Sequence, residues 1–300
     1  MSLRALYDLP APAKLNLFLL VVGRRADGYH LLQSLFVPID WADTLHVECR
    51  DDGRLARHDL GPPLPAVDLC LQAARLLQSE SGCALGADIS VQKRVPWGAG
   101  LGGGSSDAAT TLLALNRLWG LRWPRERLAA LALRLGADVP FFIGGHPAFV
   151  EGIGERLTPL DLPQAWYAVV KPVASLPTAA IFGSPLLERN TEAVIVSGSL
   201  ADAAGFSARS GDPGRWLGGF GRNDLQPVAE QQCPEVAQAA EWLHRRFGNS
   251  RMTGSGSAVF ARAGAGDQPV ATLPVDELPP GWVGHLCRSL DRHPLADWSG

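Results

Sequence analysis

Apolar and polar positions fall into blocks along the first half of the chain, and each block has the length of one strand or one helix. Apolar runs at 15–22 and 31–39 predict buried strands, and residues 44–49 alternate with the strand period. Asp68 then opens a helix whose apolar residues Leu69, Ala73, Leu76 and Leu77 recur at helical spacing up to Gly82. Residues 87–95 predict a strand, followed by a helix with Ala108, Leu112, Leu115 and Trp119 on its inward stripe. Pro124 suits the first position of a further helix through Leu128, Leu131 and Leu135, stopped by Gly136. Strands are expected at 146–151 and 166–171, a helix at about 234–247, and a turn and strand at 253–260. Residues 197–221 are rich in Gly, Ser and Ala without periodicity, which predicts a long loop. No internal repeat is visible. Proline and acidic residues around 158–163 separate two strands and set an expected domain boundary, giving domains 1–160 and 161–300.

The run Gly98-Ala99-Gly100-Leu101-Gly102-Gly103-Gly104 has five glycines in seven positions and leads into Ser105, Ser106 and Asp107. An ordinary turn needs one or two glycines. Five leave a backbone free to approach a ligand, and a glycine loop feeding a helix offers unpaired N–H groups and the positive end of the helix dipole. That arrangement suits phosphate. The run also satisfies G-x-G-x-x-G, but Lys93-Arg94-Val95-Pro96-Trp97 intervenes between strand and first glycine. The acidic residue that a dinucleotide fold needs about 20 positions on is also replaced by a helix start, Arg122-Trp123-Pro124. A Walker loop would end in Gly-Lys-Ser/Thr, whereas Gly104-Ser105-Ser106 has no lysine, so the neutralising cation must come from elsewhere in the chain.

Composition narrows the classes further. With 300 residues, 46% hydrophobic and 19% charged, the chain has the makeup of a soluble globular protein with ample core. A net charge of −3 gives no polyanion footprint, and no nucleic-acid partner is expected. Cys49, Cys70, Cys83, Cys233 and Cys287 are odd in number and lack C-x-x-C, which points to reduced thiols and a cytoplasmic location. Lys14 and the apolar run after it imitate a signal peptide. However, Asn16 interrupts the run, no small-residue cleavage site follows, and 23–28 is strongly polar. The run is too short to cross a bilayer, so no membrane partner is expected.

Pro96 to Ala109 resembles the second motif of the GHMP kinases (galactokinase, homoserine kinase, mevalonate kinase and relatives). Ala11-Pro12-Ala13-Lys14-Leu15-Asn16-Leu17 resembles the first motif, and Arg251-Met252-Thr253-Gly254-Ser255-Gly256-Ser257-Ala258-Val259-Phe260 the third. The segments Arg24-Arg25-Ala26-Asp27-Gly28-Tyr29-His30 and Gly136-Ala137-Asp138-Val139-Pro140 are similar to one branch of that family, which acts on cytidine diphosphate methylerythritol in the non-mevalonate isoprenoid route. The resemblance is dense over 11–182, returns at 222–260, and is weak elsewhere. It implies an α+β fold: an N-terminal domain like the second domain of ribosomal protein S5, a ferredoxin-like C-terminal domain, and an active site between them.

The resemblance also implies ATP as phosphoryl donor with Mg²⁺, and transfer to the 2-hydroxyl of the cytidine diphosphate methylerythritol. On local sequence Asp138 reads as a turn aspartate and Lys14 as a snorkelling surface residue. The resemblance implies that Asp138 is the catalytic base and Lys14 the missing cation, lowering the pKa of the attacking hydroxyl. Lys93, Pro96, Gly98, Gly100, Leu101, Gly102, Gly103, Gly104, Ser105 and Ser106 are the implied ATP-binding set. Tyr29 and Phe182 are implied to stack on the cytosine and His30 to hydrogen-bond it. Asn16 and Thr178 are expected at the methylerythritol end, with Gly254 and Ser255 closing on the substrate diphosphate. No metal ligand is assigned. Asp107 reads equally as a Mg²⁺ ligand and as a first-turn aspartate favoured by the helix dipole. Asp68 stands where the family often has an asparagine near the adenine, and the Pro- and Gly-rich tail after Gly264 replaces a usual helix. A monomer or weak homodimer is expected. The rival readings are a homoserine- or mevalonate-type kinase, a non-catalytic nucleotide-binding module, and a dinucleotide oxidoreductase.

Overall fold

The computed structural model describes residues 3–64, 68–193 and 221–298. The loop expected at 197–221 lies outside the described residues apart from Gly221. The N-terminal apolar runs form β1 (Ala5–Arg24) and β2 (His30–Arg50), which pair antiparallel as one long hairpin. β2 unites the stretches expected as separate strands at 31–39 and 44–49. A register shift opposite Pro12 and Ala13 absorbs the polar break between them, so the strand bulges instead of turning. β3 (Leu55–Asp59), β4 (Gly86–Gln92), β5 (Ala148–Gly152) and β6 (Arg156–Pro159) complete a sheet in the order β3-β4-β2-β5-β6, with β1 against β2. The β3–β4 pairing is parallel and the others are antiparallel.

Four helices supply the core of this sheet: α1 (Leu69–Ser81), α2 (Gly103–Leu118), α3 (Arg125–Leu133) and α4 (Val139–Gly144). Asp68 caps α1 as the sequence predicts, its Oδ1 accepting from the N–H groups of Cys70 and Leu71 at 2.6 and 3.1 Å. Pro124 is the N-cap of α3, one residue outside the expected position. The helix after the glycine run begins at Gly103, capped by Gly102, so Ser105 and Ser106 lie inside its first turn.

The second sheet comprises β7 (Ala165–Lys171), β8 (Arg251–Met252), β9 (Val259–Ala265) and β10 (Val283–Arg288), antiparallel in the order β10-β7-β9-β8. With it come α5 (Thr178–Gly183), α6 (Gln226–Gln232) and α7 (Pro234–Phe247). α7 has the bounds the sequence predicts. Pro234 starts it, Gly248 closes it in a left-handed conformation, and Val236, Ala239, Ala240 and Leu243 are its buried stripe. The tail after Gly264 returns as the edge strand β10. The fold is therefore α+β.

A separate core joins the two sheets: Leu15, Leu17, Leu35 and Val37 of the β1–β2 hairpin meet Tyr167 and Val169 of β7 and Phe260 of β9. Tyr167 is 1% exposed and stacks edge-on against Phe260 at 5.8 Å, but its hydroxyl has no hydrogen-bond partner among the described residues. An unpaired buried hydroxyl is destabilising. Tyr167→Phe, which keeps the ring, is expected to raise stability by about 1 kcal/mol, read from the urea midpoint. A lower midpoint would mean that the hydroxyl is satisfied.

Candidate active site

The three motifs, far apart in sequence, are tied together by hydrogen bonds. The Lys14 N–H donates to the Leu101 carbonyl at 2.9 Å and the Ala258 N–H to the Ala99 carbonyl at 3.1 Å. The Asn16 N–H donates to Thr253 Oγ1 at 2.9 Å. Gly100 sits at the crossing with φ of +75°, and a Cβ there would lie 2.2 Å from the Thr253 carbonyl oxygen. Only glycine fits.

Lys14 is 3% exposed and sits inside a web of polar groups. Its Nζ lies 3.5 Å from Asp138 Oδ2, donates to Asn16 Oδ1 at 2.5 Å, and stands 4.7 Å from the Phe36 ring centroid. Asn16 is occupied in turn: its Nδ2 donates to Ser34 Oγ at 2.9 Å, and Thr253 Oγ1 shares its Oδ1 at 3.4 Å. Asn16 thus lines the cavity while its amide steadies Lys14. Gly102 gives the lysine its path, since a Cβ there would meet Lys14 Cγ and Phe142 Cζ at 3.1 Å. Asp138 precedes α4 without a side-chain cap bond, and its carboxylate is one-third exposed.

Gly98, Gly100 and Gly102 line the cavity that holds Lys14 and Asp138, about 280 Å³ in volume. The first α2 bond runs from Ser106 N–H to Gly102 O, so Gly103, Gly104 and Ser105 have no carbonyl partner within the helix for their N–H groups. That is an anion cradle. Ser106 is buried with its Oγ unpartnered among the described residues. Pro96 stands at the entry of the loop, half-buried. Lys93 does not point a free ammonium at the cradle. Asp43 and Asp107 hold its Nζ between them, the latter at 2.6 Å. Asp43 Oδ1 also accepts from the N–H groups of Arg94 and Val95 at 2.6 and 2.8 Å, pinning the chain that enters the glycine loop.

The cavity opens, past Leu32, Ile153, Thr178 and Phe182, into a cleft of about 510 Å³ walled by Arg24, Tyr29 and His30. His30 faces Phe182 with ring centroids 5.0 Å apart, and Tyr29 is 61% exposed on the β1–β2 turn. Thr178 Oγ1 and Ser255 Oγ are hydrogen-bonded to each other at 2.8 Å. The Gly254 carbonyl accepts from Asn223 Nδ2 at 2.8 Å, as does that of Met252. The sequence did not single out Asp43, Ser34, Thr253 or Asn223. Each works through a partner distant in sequence, and only Thr253, inside the third motif, carried a local signal.

Burial pushes the Asp107 carboxyl up to about 7; Lys93 opposes the rise and Asp43 adds to it. The folded value lies above the 3.8 of an ordinary aspartate, so folding takes up a proton between the two. This group's contribution to stability is therefore full below about 4 and is lost as pH rises through about 7. In urea unfolding at the two ends of that window, Asp107→Asn is expected to show a smaller loss than the wild type. Equal losses would mean that Asp107 titrates normally.

Comparison with known proteins identifies the family. Residues 68–146 match the family model for the GHMP kinases N terminal domain, and residues 207–270 that for the GHMP kinases C terminal domain. The chain is 65% identical over the whole of both chains to the 4-diphosphocytidyl-2-C-methyl-D-erythritol kinase of Methylibium petroleiphilum. It is 55% identical over 99% of each chain to the protein of the same name from Verminephrobacter eiseniae. A crystal structure of a 4-(cytidine 5'-diphospho)-2C-methyl-D-erythritol kinase superposes with a TM-score of 0.70 at 38% identity, over 88% of this chain and 91% of that one. Homoserine kinase from Cytophaga hutchinsonii shares the fold at 16% identity, with a TM-score of 0.65 over 96% of this chain and 95% of that one. The chain belongs to the GHMP kinases, within their 4-diphosphocytidyl-2-C-methyl-D-erythritol kinase branch, and is an ATP-dependent small-molecule kinase.

Proposed function

We propose that the protein phosphorylates the 2-hydroxyl of 4-diphosphocytidyl-2-C-methyl-D-erythritol, with Asp138 as base and Lys14 as its partner. The observation that carries this reading is the Lys14–Asp138 pair, 3.5 Å apart, at one end of a trough whose other end is walled by Tyr29, His30 and Phe182. The hydroxyl oxygen bonds to the γ-phosphorus, its proton passes to Asp138, and the bond from the γ-phosphorus to the bridging oxygen breaks to release ADP. Lys14 neutralises charge that builds on the reacting oxygens. The N–H groups of Gly103, Gly104 and Ser105 are suited to the phosphates of ATP.

Mg²⁺, when bound, would supply positive charge to offset that of the nucleotide's phosphates. Among the described residues no group of three or more His, Cys, Asp or Glu could hold a metal, so such an ion fits here chiefly as a partner of the nucleotide. Asp43 and Asp107 are engaged by Lys93, so Ser105, Ser106 and Asp138 are the residues whose oxygens would be left to hold such an ion. The change of sheet between β6 and β7 supports the domain division at 160/161. Tyr29 and Phe182 are suited to grip a base by stacking, and Thr178 and Ser255 to meet the polar middle of the substrate.

The test is ADP release from ATP and Mg²⁺ with and without the cytidine substrate. Release is expected to depend on that substrate, and Asp138→Asn to lower kcat by about 10²- to 10⁴-fold. Because Asp138 is the carboxylate beside the buried Lys14, the variant is also expected to lose about 1–3 kcal/mol of stability in urea unfolding, so kcat is read on protein shown to be folded. Release stimulated by homoserine or mevalonate but not by the cytidine substrate would overturn the substrate assignment.

A further inference from the structure

β1 carries a bulge just past Lys14. Asn16 pairs with Phe36 and Leu19 with Ser34, so Leu17 and Phe18 stand opposite Leu35 alone. Within the bulge the Phe18 carbonyl accepts from Ser34 Oγ at 2.5 Å. A carbonyl can only accept, so the single hydroxyl proton of Ser34 is committed there and Oγ has only lone pairs left to offer. Asn16 meets that oxygen with its amide nitrogen, Nδ2 donating at 2.9 Å. The other end of the amide faces Lys14, whose ammonium can only donate, and Oδ1 accepts from it at 2.5 Å. Thr253 Oγ1, which accepts from the Asn16 backbone N–H at 2.9 Å, gives Oδ1 a second donor at 3.4 Å. Turning the amide over would set its oxygen against the Ser34 lone pairs and its N–H groups against the ammonium. Ser34 and Asn16 are 1% and 2% exposed, so a lost partner is not readily replaced by bulk water.

We infer that Ser34 is a positioning residue for phosphoryl transfer: it anchors the Asn16 amide by its nitrogen, so that the amide oxygen keeps the Lys14 ammonium in place beside Asp138. The inference rests on the reading of Lys14 and Asp138 as the reacting pair. Among the described residues Ser34 makes no hydrogen bond to either of them, and it acts through Asn16. In Ser34→Ala the amide nitrogen loses its acceptor and the Phe18 carbonyl its donor. The amide is then held at one end only, and its oxygen no longer has a fixed place beside Lys14. A displaced ammonium still carries its charge, but from a poorer position relative to the reacting oxygens. The cost therefore falls on the chemical step rather than on the binding of ATP.

Turnover of the cytidine substrate with ATP and Mg²⁺ tests the role. Ser34→Ala is expected to lower kcat about tenfold, with KM for ATP unchanged within about twofold. In an Asn16→Ala background no amide remains to be anchored, and there Ser34→Ala is expected to cost less than about twofold more. An undiminished kcat in folded Ser34→Ala would overturn the proposal. So would a full further loss in the Asn16→Ala background, since Ser34 would then act by another route. The orientation itself is read without any variant or turnover, by neutron diffraction from crystals of the full chain in D₂O. The expected map shows the deuterated nitrogen of the Asn16 amide facing Ser34 and the Ser34 hydroxyl deuteron pointing at the Phe18 carbonyl. An amide oxygen facing Ser34 would overturn the proposal even if Ser34→Ala does not fold. A wild type that does not turn over the cytidine substrate would overturn the substrate reading, and the catalytic consequence with it, while the neutron map would still decide how Asn16 is held.

Discussion

A buried ammonium is the constraint around which this molecule is arranged. Taking a lysine out of water is strongly unfavourable unless charge and hydrogen bonds replace the lost hydration. Lys14 is 3% exposed, and its replacements come from three directions: Asn16 from its own strand, Asp138 from the residue before α4, and the Phe36 ring from β2. The same residue fixes the glycine loop, because its N–H holds the Leu101 carbonyl. A glycine at 102 leaves room for its stem. Moving any of these elements would leave a cation buried without its partners.

The core between the sheets makes that arrangement rigid. Leu15, Leu17 and Leu35 on one side and Tyr167, Val169 and Phe260 on the other hold the first and third motifs in a fixed relation. The glycine loop is held twice more, by Ala258 and by the Asp43 carboxylate at its entry. A loop with five glycines would be costly to order on binding. Here much of that ordering is already done in the fold, so a ligand of the loop would meet a backbone that is already in place.

Much of this was legible in the sequence, for reasons that can be named. The glycine run carries its chemistry locally, Lys14 and Asp138 stood out only through the resemblance of their motifs to a family, and α7 has a clear apolar stripe between proline and glycine stops. β10 was not legible, because it is an edge strand after a Pro- and Gly-rich stretch and only Cys287 in it is buried. β2 was divided in two because its bulge mimics a turn. Asp43 and Asn223 were missed because their partners lie 50 and 29 residues away, a relation that periodicity does not record. Lys93 shows the converse: the motif marked it as a nucleotide contact, while its ammonium is shared by two carboxylates.

The most direct measurement is a crystal structure of the chain with Mg²⁺, a non-hydrolysable ATP analogue and the cytidine substrate. The account expects the 2-hydroxyl oxygen within about 2.6–3.2 Å of an Asp138 carboxylate oxygen and in line with the γ-phosphorus, with Lys14 beside them. A 2-hydroxyl held by some other base, with Asp138 turned to solvent, would contradict it.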